Sequence, residues 1–402
     1  MKHPIARRVL IAFVAPLLLL ASPAAGAAQE DDHEPEEGYQ TPAESLRYDL
    51  GKTAEAHGWT FEQAEAQYRV TEAIGDIAAA IASERPEVFV GTAVSDAPGG
   101  TPTLYIKGGA DEFVQRVVRA SGQDVIIADH QPFSYLELKG RNERLTRELI
   151  ALGYEDLSSG FDITDGTITA HLAAQPGLSS DPGEIRERLA EEFHRDVALA
   201  VVDGLGNTTQ HSYGGMAGYK DGTPWCTMGW TVESPFGATG VTTAGHCDGV
   251  DQAWAPGHGL INLNWRNQHR GAFGDVEWHA TPGQAELAEF YVDPWARRDT
   301  LSVEPWYGFT VGESICVFGQ FTKTRECGAD VDGPSWSCTL DGILTEDLVR
   351  MDSKVTEGGD SGAGWSWINR AYGSHVGLCY GQSVFTKAGN FQNAIGVSVM
   401  RQ

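Results

Sequence analysis

Beyond residue 20 the sequence has no apolar run long enough to cross a bilayer as a helix, which argues against further membrane-spanning helices downstream. Basic residues are scarce too. Lys and Arg number 29 against 55 Asp and Glu, a formal net charge of -26, and so acidic a chain is not built to hold nucleic acid or an anionic membrane surface. Cysteine is missing until Cys226, and the six present all fall between Cys226 and Cys379. None belongs to a Cys-x-x-Cys pair and no His-x-x-x-His ladder accompanies them, so the pattern of a zinc site is lacking, and no metal or other cofactor is expected.

What is present begins with an export signal. Lys2, Arg7 and Arg8 precede an apolar run from Val9 to Leu20, followed by small residues and a small-x-small site at Ala25-Gly26-Ala27. This layout reads as a secretory signal peptide over residues 1–27, so the product is expected to be secreted, extracellular and free of the membrane once the signal is cleaved. In that oxidising setting an even number of cysteines reads as disulfides. Spacing favours Cys226 with Cys247 and Cys316 with Cys327, and elimination leaves Cys338 with Cys379, although six cysteines admit other connectivities.

With 402 residues the chain has room for two or three domains. Residues 28–43 read as a disordered leader, because Glu30 to Glu37 is dense in Asp, Glu and Pro with almost nothing apolar to bury. Helix and strand signals then alternate over 44–210. Thr60-Phe61-Glu62-Gln63 is a capping box opening an Ala-rich helix that runs to about Ser83 before Pro86. Strands are expected at Val88–Val94, Thr103–Lys107, Asp124–Ala128 and Val197–Val202, and helices at Asp111–Ala120, Leu136–Leu152 and Gly183–Phe193. Asp165-Gly166 between two alternating runs marks a hairpin. This region is expected to be α+β. From about Gly204 helical periodicity fades, and glycine, tryptophan and short strand-like runs take over, as at Gly240–Thr243, Gly274–Trp278, Ser314–Phe318 and Ala394–Val399. The part from 211 to 402 is expected to be all-β.

Two stretches of that part carry chemistry. Gly358-Gly359-Asp360-Ser361-Gly362 surrounds a hydroxyl with glycines, which leave room for a substrate. Alone the string is an ordinary turn. Thr243-Ala244-Gly245-His246-Cys247 supplies the base that a hydroxyl needs, beside a cysteine able to clamp it. A base in turn needs an acceptor to fix its tautomer. Asp275, opening the strand-like Gly274-Asp275-Val276, suits that role, whereas Asp248 and Asp251 follow His246 too closely in the chain.

Together these motifs, in the order His, Asp, Ser, resemble the chymotrypsin-like serine proteases, and among them the bacterial branch of alpha-lytic protease and the streptogrisins. Gly214-Gly215 is similar to the mature amino terminus of that family, Cys226-Thr227-Met228-Gly229-Trp230 to its first disulfide strand, and the tail from Val384 to Val397 to its closing strand and helix. The resemblance implies two six-stranded antiparallel barrels with the triad between them. It makes His246 the general base then acid, Asp275 its orienting partner and Ser361 the nucleophile, with the backbone N–H groups of Gly359 and Ser361 as oxyanion hole. His375, Val376 and Gly377 would line the substrate site, where a histidine resembles the glutamyl-specific members. The α+β part resembles the family's pro-region, an intramolecular chaperone and inhibitor in a zymogen, with processing expected near Gln210 to Gly214. The implied partner is a protein or peptide substrate, and the implied state a monomer. Two departures stand out: Val355-Thr356-Glu357 where the family usually has a cysteine, and Ala363-Gly364-Trp365 where it often has a proline. An α/β-hydrolase esterase fits less well, because Ala363 breaks its Gly-x-Ser-x-Gly elbow and its histidine should follow the serine. An inactive, protease-like binding module is the alternative of a different class.

Overall fold

Three capping boxes set the helical layer of the molecule. In the computed structural model, which describes residues 38–402 apart from 96, 155, 205–207, 210–214 and 256–258, Thr41 caps α1 (Pro42–His57), Thr60 caps α2 (Phe61–Glu84) and Ser134 caps α4 (Tyr135–Ala151). In each, a hydroxyl satisfies an orphan N–H while Glu44, Gln63 or Glu137 reaches back. The signal peptide, most of the leader and the processing segment 210–214 lie outside the described residues. The expected leader limit at 43 falls inside α1, which already starts at Pro42. Between α2 and α4 come β1 (Phe89–Ala93), β2 (Thr103–Lys107), α3 (Glu112–Ser121) and β3 (Ile126–Gln131), and after α4 come β4 (Leu157–Phe161), β5 (Ile168–Ala173), α5 (Pro182–Arg188) and β6 (Val197–Val202). The α+β expectation therefore describes this part.

Strands β1, β2 and β3 form one sheet. The Asp165-Gly166 signal sits in the β4–β5 hairpin, whose register pairs Phe161 with Ile168. Ile74, Ile77 and Ile81 of α2 share a core with Leu138 and Leu145 of α4 and with Leu104, Leu157 and Ile168 of the strands. Each such side chain, fully withdrawn from water, contributes roughly 1.5–3 kcal/mol.

The remainder is strand-rich: β7 (Thr208–Thr209), β8 (Met216–Lys220), β9 (Thr223–Met228), β10 (Thr231–Glu233), β11 (Thr239–Thr243), β12 (Gln252–Ala255), β13 (Gly259–Asn262), β14 (Asn264–Gly271), β15 (Gly274–Ala280), β16 (Glu289–Tyr291), β17 (Arg297–Asp299) and β18 (Ser302–Val303). Then follow β19 (Ser314–Phe318), β20 (Arg325–Leu340), β21 (Ile343–Met351), β22 (Gly364–Trp367), β23 (Arg370–Cys379), β24 (Gln382–Lys387), α6 (Phe391–Ile395) and β25 (Ser398–Val399). The strand expected over Ala394–Val399 is thus shortened, since α6 runs to Ile395 and Gly396 caps it in the left-handed region.

Strands β19, β22, β23, β24, β21 and β20 pair in that order, and β19 also pairs with β20, so six antiparallel strands close into a barrel. Most of the remaining strands of this part fall into a four-stranded sheet, β13-β12-β8-β9, and a five-stranded sheet, β14-β15-β11-β10-β25. Cys226 and Met228 of the first sheet and Val241 of the second share one core. Disulfides join Cys226 to Cys247 and Cys316 to Cys327, the pairs that spacing favoured, and Cys338 to Cys379, the pair left by elimination.

The two parts are continuous. Strand β4 adds antiparallel to β20, and Leu50 and Ala54 of α1 and Ala64 of α2 belong to the core that holds Ile315, Val349 and Phe385 of the closed barrel. Among the described residues no helix is long and apolar enough to cross a membrane.

Candidate active site

Strand pairing brings the base and its acceptor together. Strands β11 and β15 run antiparallel with Thr243 opposite Glu277, so the turn that follows β11, carrying His246, lies beside the start of β15, where Asp275 sits. The Cys226–Cys247 disulfide pins that turn to β9. Asp275 Oδ1 accepts both the His246 backbone N–H, at 3.0 Å, and a hydrogen bond with His246 Nδ1, at 3.1 Å. One carboxylate oxygen thereby fixes both the backbone and the ring of the histidine. Thr386 holds Asp275 from the closed barrel, its hydroxyl accepting from the Asp275 N–H at 2.8 Å and donating to the Asp275 carbonyl at 3.0 Å.

The nucleophile candidate lies in the loop between β21 and β22. His246 Nε2 is 2.9 Å from Ser361 Oγ, the distance of a hydroxyl-to-imidazole hydrogen bond. The loop is tied down on two sides: the Thr227 N–H donates to the Ser361 carbonyl at 2.9 Å, and the Gly362 N–H to the His375 carbonyl at 2.7 Å. Gly362 has φ +92°, and a Cβ there would stand 2.1 Å from the Thr227 carbonyl oxygen, so only glycine allows this approach. Among the described residues neither the Gly359 nor the Ser361 N–H is paired with a backbone carbonyl. The preceding Asp360 is buried, accepting from the Glu357 N–H at 2.9 Å and the Phe321 N–H at 3.1 Å. The Asp360 carboxylate thus braces the loop from within.

The second oxygen of Asp275 is engaged by a residue that the sequence did not single out. Arg270, directly opposite Asp275 in the β14–β15 hairpin, donates from Nε to Asp275 Oδ2 at 2.9 Å. Burial alone would raise the Asp275 carboxyl, but His246 and then Arg270 hold it below its ordinary value. It stays ionised. The signal for Arg270 was available in principle, because a hairpin turning at residues 271–274 puts positions 270 and 275 opposite each other.

His375, Val376 and Gly377 lie on β23 beside the serine. Ser361 Oγ also lies 3.3 Å from the Val376 carbonyl, a longer alternative acceptor for the one hydroxyl proton, and Gly377 pairs with Thr209 of β7. His375 is fully buried, and Trp365 Nε1 donates to its Nδ1 at 3.4 Å. Burial, and then the nearby His246, push His375 down to about 3, so its ring is neutral near pH 7 and offers a hydrogen bond rather than a charge. Ser361 has no exposed surface, and β7 pairs antiparallel with β23 at Gly377 and Leu378.

No protein-family model matches the chain, and no curated protein matches it either. Solved structures do. A glutamic-acid-specific serine protease, described as using a histidine triad in substrate binding, is 22% identical over 46% of this chain and 99% of its own, with a TM-score of 0.38. A chymotrypsin of Cellulomonas bogoriensis is 23% identical over 47% of this chain and 98% of its own, at 0.37. A Nocardiopsis protease is 17% identical over 48% of this chain and 100% of its own, at 0.37.

Proposed function

We propose that the chain is a secreted serine endopeptidase, made as a precursor and hydrolysing peptide bonds through an acyl-enzyme. The observation that carries this reading is the linked geometry of Ser361, His246 and Asp275, with hydrogen bonds of 2.9 and 3.1 Å joining three residues far apart in sequence. His246 takes the Ser361 proton at Nε2 as Oγ attacks the substrate carbonyl, then returns it to the leaving amine. Asp275 holds the Nδ1 proton and stabilises the imidazolium that forms. The N–H groups of Gly359 and Ser361 receive the developing oxyanion, an interaction worth about 3 kcal/mol per donor in such enzymes. Water then repeats the sequence to release the acid.

On this reading the backbone edge of β23 that β7 holds in the precursor docks the substrate as an added strand once β7 has left. Residues 44–210 act as inhibitor and folding template, and cleavage near 210–214 frees the enzyme of 211–402. Three disulfides suit the oxidising compartment to which a signal peptide would send it. Replacing Ser361 by Ala tests the reading. Peptide hydrolysis by the matured chain is expected to fall by roughly 10⁵–10⁶ in kcat, and self-processing to stop. Undiminished hydrolysis by that variant would refute it.

A further inference from the structure

Away from the triad, two buried guanidinium groups close on one carboxylate. Asp49 of α1, Arg298 of β17 and Arg325 of β20 all have side chains with no exposed surface. Asp49 Oδ1 accepts from Arg298 Nη2 at 3.0 Å and from Arg325 Nε at 2.7 Å. Asp49 Oδ2 accepts from Arg298 Nη1 at 2.8 Å, from Arg325 Nη2 at 2.9 Å and from the Ile368 backbone N–H at 2.8 Å. Both arginines thus meet the carboxylate fork to fork, the arrangement in which guanidinium recognises carboxylate most specifically.

The donors and the acceptor come from opposite sides of the expected processing segment. Asp49 precedes it; Arg298, Arg325 and Ile368 follow it. The arginines are also held from their own side. Arg298 Nη1 donates to the Ile368 carbonyl at 3.0 Å, and Arg325 Nη2 to Ser366 Oγ at 3.1 Å and the Ser366 carbonyl at 3.3 Å. The remaining partners of Arg298, the Gln40 side chain and the Ser45 carbonyl, leave with Asp49. The Cys316–Cys327 disulfide stiffens the neighbouring β19–β20 pair, and its sulfurs lie within 4.8 Å of the carboxylate.

The geometry points to an oxyanion-binding site on the released enzyme, formed by Arg298, Arg325 and the Ile368 N–H, which takes a free carboxylate in the place that Asp49 occupies in the precursor. This rests on the proposal that residues 211–402 are freed by cleavage. Two like charges held side by side need an anion between them, and the ligand that fits is one already present in the site: a planar carboxylate, accepting on both oxygens. Arg325 Nη1, buried and without a partner among the described residues, is a further donor on the same guanidinium, outside the fork that Nε and Nη2 form. In the precursor Asp49 fills the site in cis, so helix α1 is fastened to the barrel by the group that the released enzyme would exchange for a soluble anion.

Arginine-selective modification with phenylglyoxal, read by peptide mass mapping, tests this on the protein as it is made. In the uncleaved Ser361→Ala chain, Arg298 and Arg325 are expected to resist modification. In the matured wild-type chain both should react in chloride, and acetate at the same ionic strength should slow them roughly tenfold once its concentration is about ten times its Kd. Matured enzyme whose two arginines react equally in acetate and chloride, or fail to react in either, overturns the site alone. A wild-type chain that is never cleaved overturns the protease reading and the site with it.

Discussion

Arg270 gives the candidate triad a fourth member with a measurable consequence. Its guanidinium beside Asp275 opposes the build-up of positive charge on His246, so removing it should favour the protonated imidazole. Arg270→Gln is therefore expected to move the acidic limb of the kcat/KM profile to higher pH, by roughly half a unit to one unit for a charge at this range in a partly solvated site, with little loss at the alkaline plateau. A pH–rate profile unchanged from that of the wild type would show that Arg270 only braces the hairpin. At this scale the sequence spoke clearly for Ser361 and His246, because each sits in a compact motif. Asp275 needed an argument from chain order. Arg270 was legible only through the register of the β14–β15 hairpin, and Asp49 carried no local signal, since what defines it is the docking of a helix.

Elements show where local pattern runs out. Capping boxes and the Asp165-Gly166 hairpin are encoded within a few residues, and most helices and strands expected from them are present. Helix α1 was hidden by its position after an acidic leader, although Thr41, Pro42 and Glu44 are a start signal. The addition of β4 to β20 could not be read locally, because an edge strand chooses its partner through contacts some 180 residues away. That contact is close. A Cβ on Gly160 would stand 1.7 Å from the Trp336 ring, and Trp336 Nε1 donates to Ser158 Oγ at 2.8 Å. Gly160→Ala should therefore lower the yield of matured enzyme severalfold, while leaving the kcat of what does mature unchanged, because Gly160 lies before the cleavage segment. A yield equal to the wild type's would show that β4 docking is dispensable.

Helix α4 adds an acid-sensitive tie. Burial would raise the Asp347 carboxyl of β21, but Lys387 of β24 at 2.7 Å and Lys139 of α4 at 2.6 Å pull it down to about 2. A carboxylate whose folded value lies below its unfolded value of about 3.9 stabilises the fold above that value and loses the contribution as pH falls towards 2. The contribution is about 2–3 kcal/mol. Denaturant titration of the uncleaved Ser361→Ala chain between pH 5 and 2 should show this loss, and Asp347→Asn should flatten it. An equally steep loss in that variant would assign the acid sensitivity to other carboxylates.

On the scale of the whole molecule, the proposed function has the N-terminal part cover what the released enzyme would use. Its helices complete the hydrophobic core of the closed barrel, its Asp49 neutralises two buried arginines, and β7 pairs with β23 next to a fully buried Ser361. A β-rich body closed by three disulfides has mostly non-local contacts and folds slowly, so a template that supplies core residues and charge would speed its formation. Net acidity argued only against nucleic acid and anionic membranes and said nothing of this arrangement, because charge totals do not encode which carboxylate meets which arginine. The central claim, that Ser361 is an activated nucleophile, is tested most directly by treating the matured chain with a fluorophosphonate and mapping the adduct by mass spectrometry. The account predicts one stoichiometric adduct, on Ser361, abolished by His246→Ala. A processed, folded chain that stays unlabelled, or is labelled elsewhere, would contradict it.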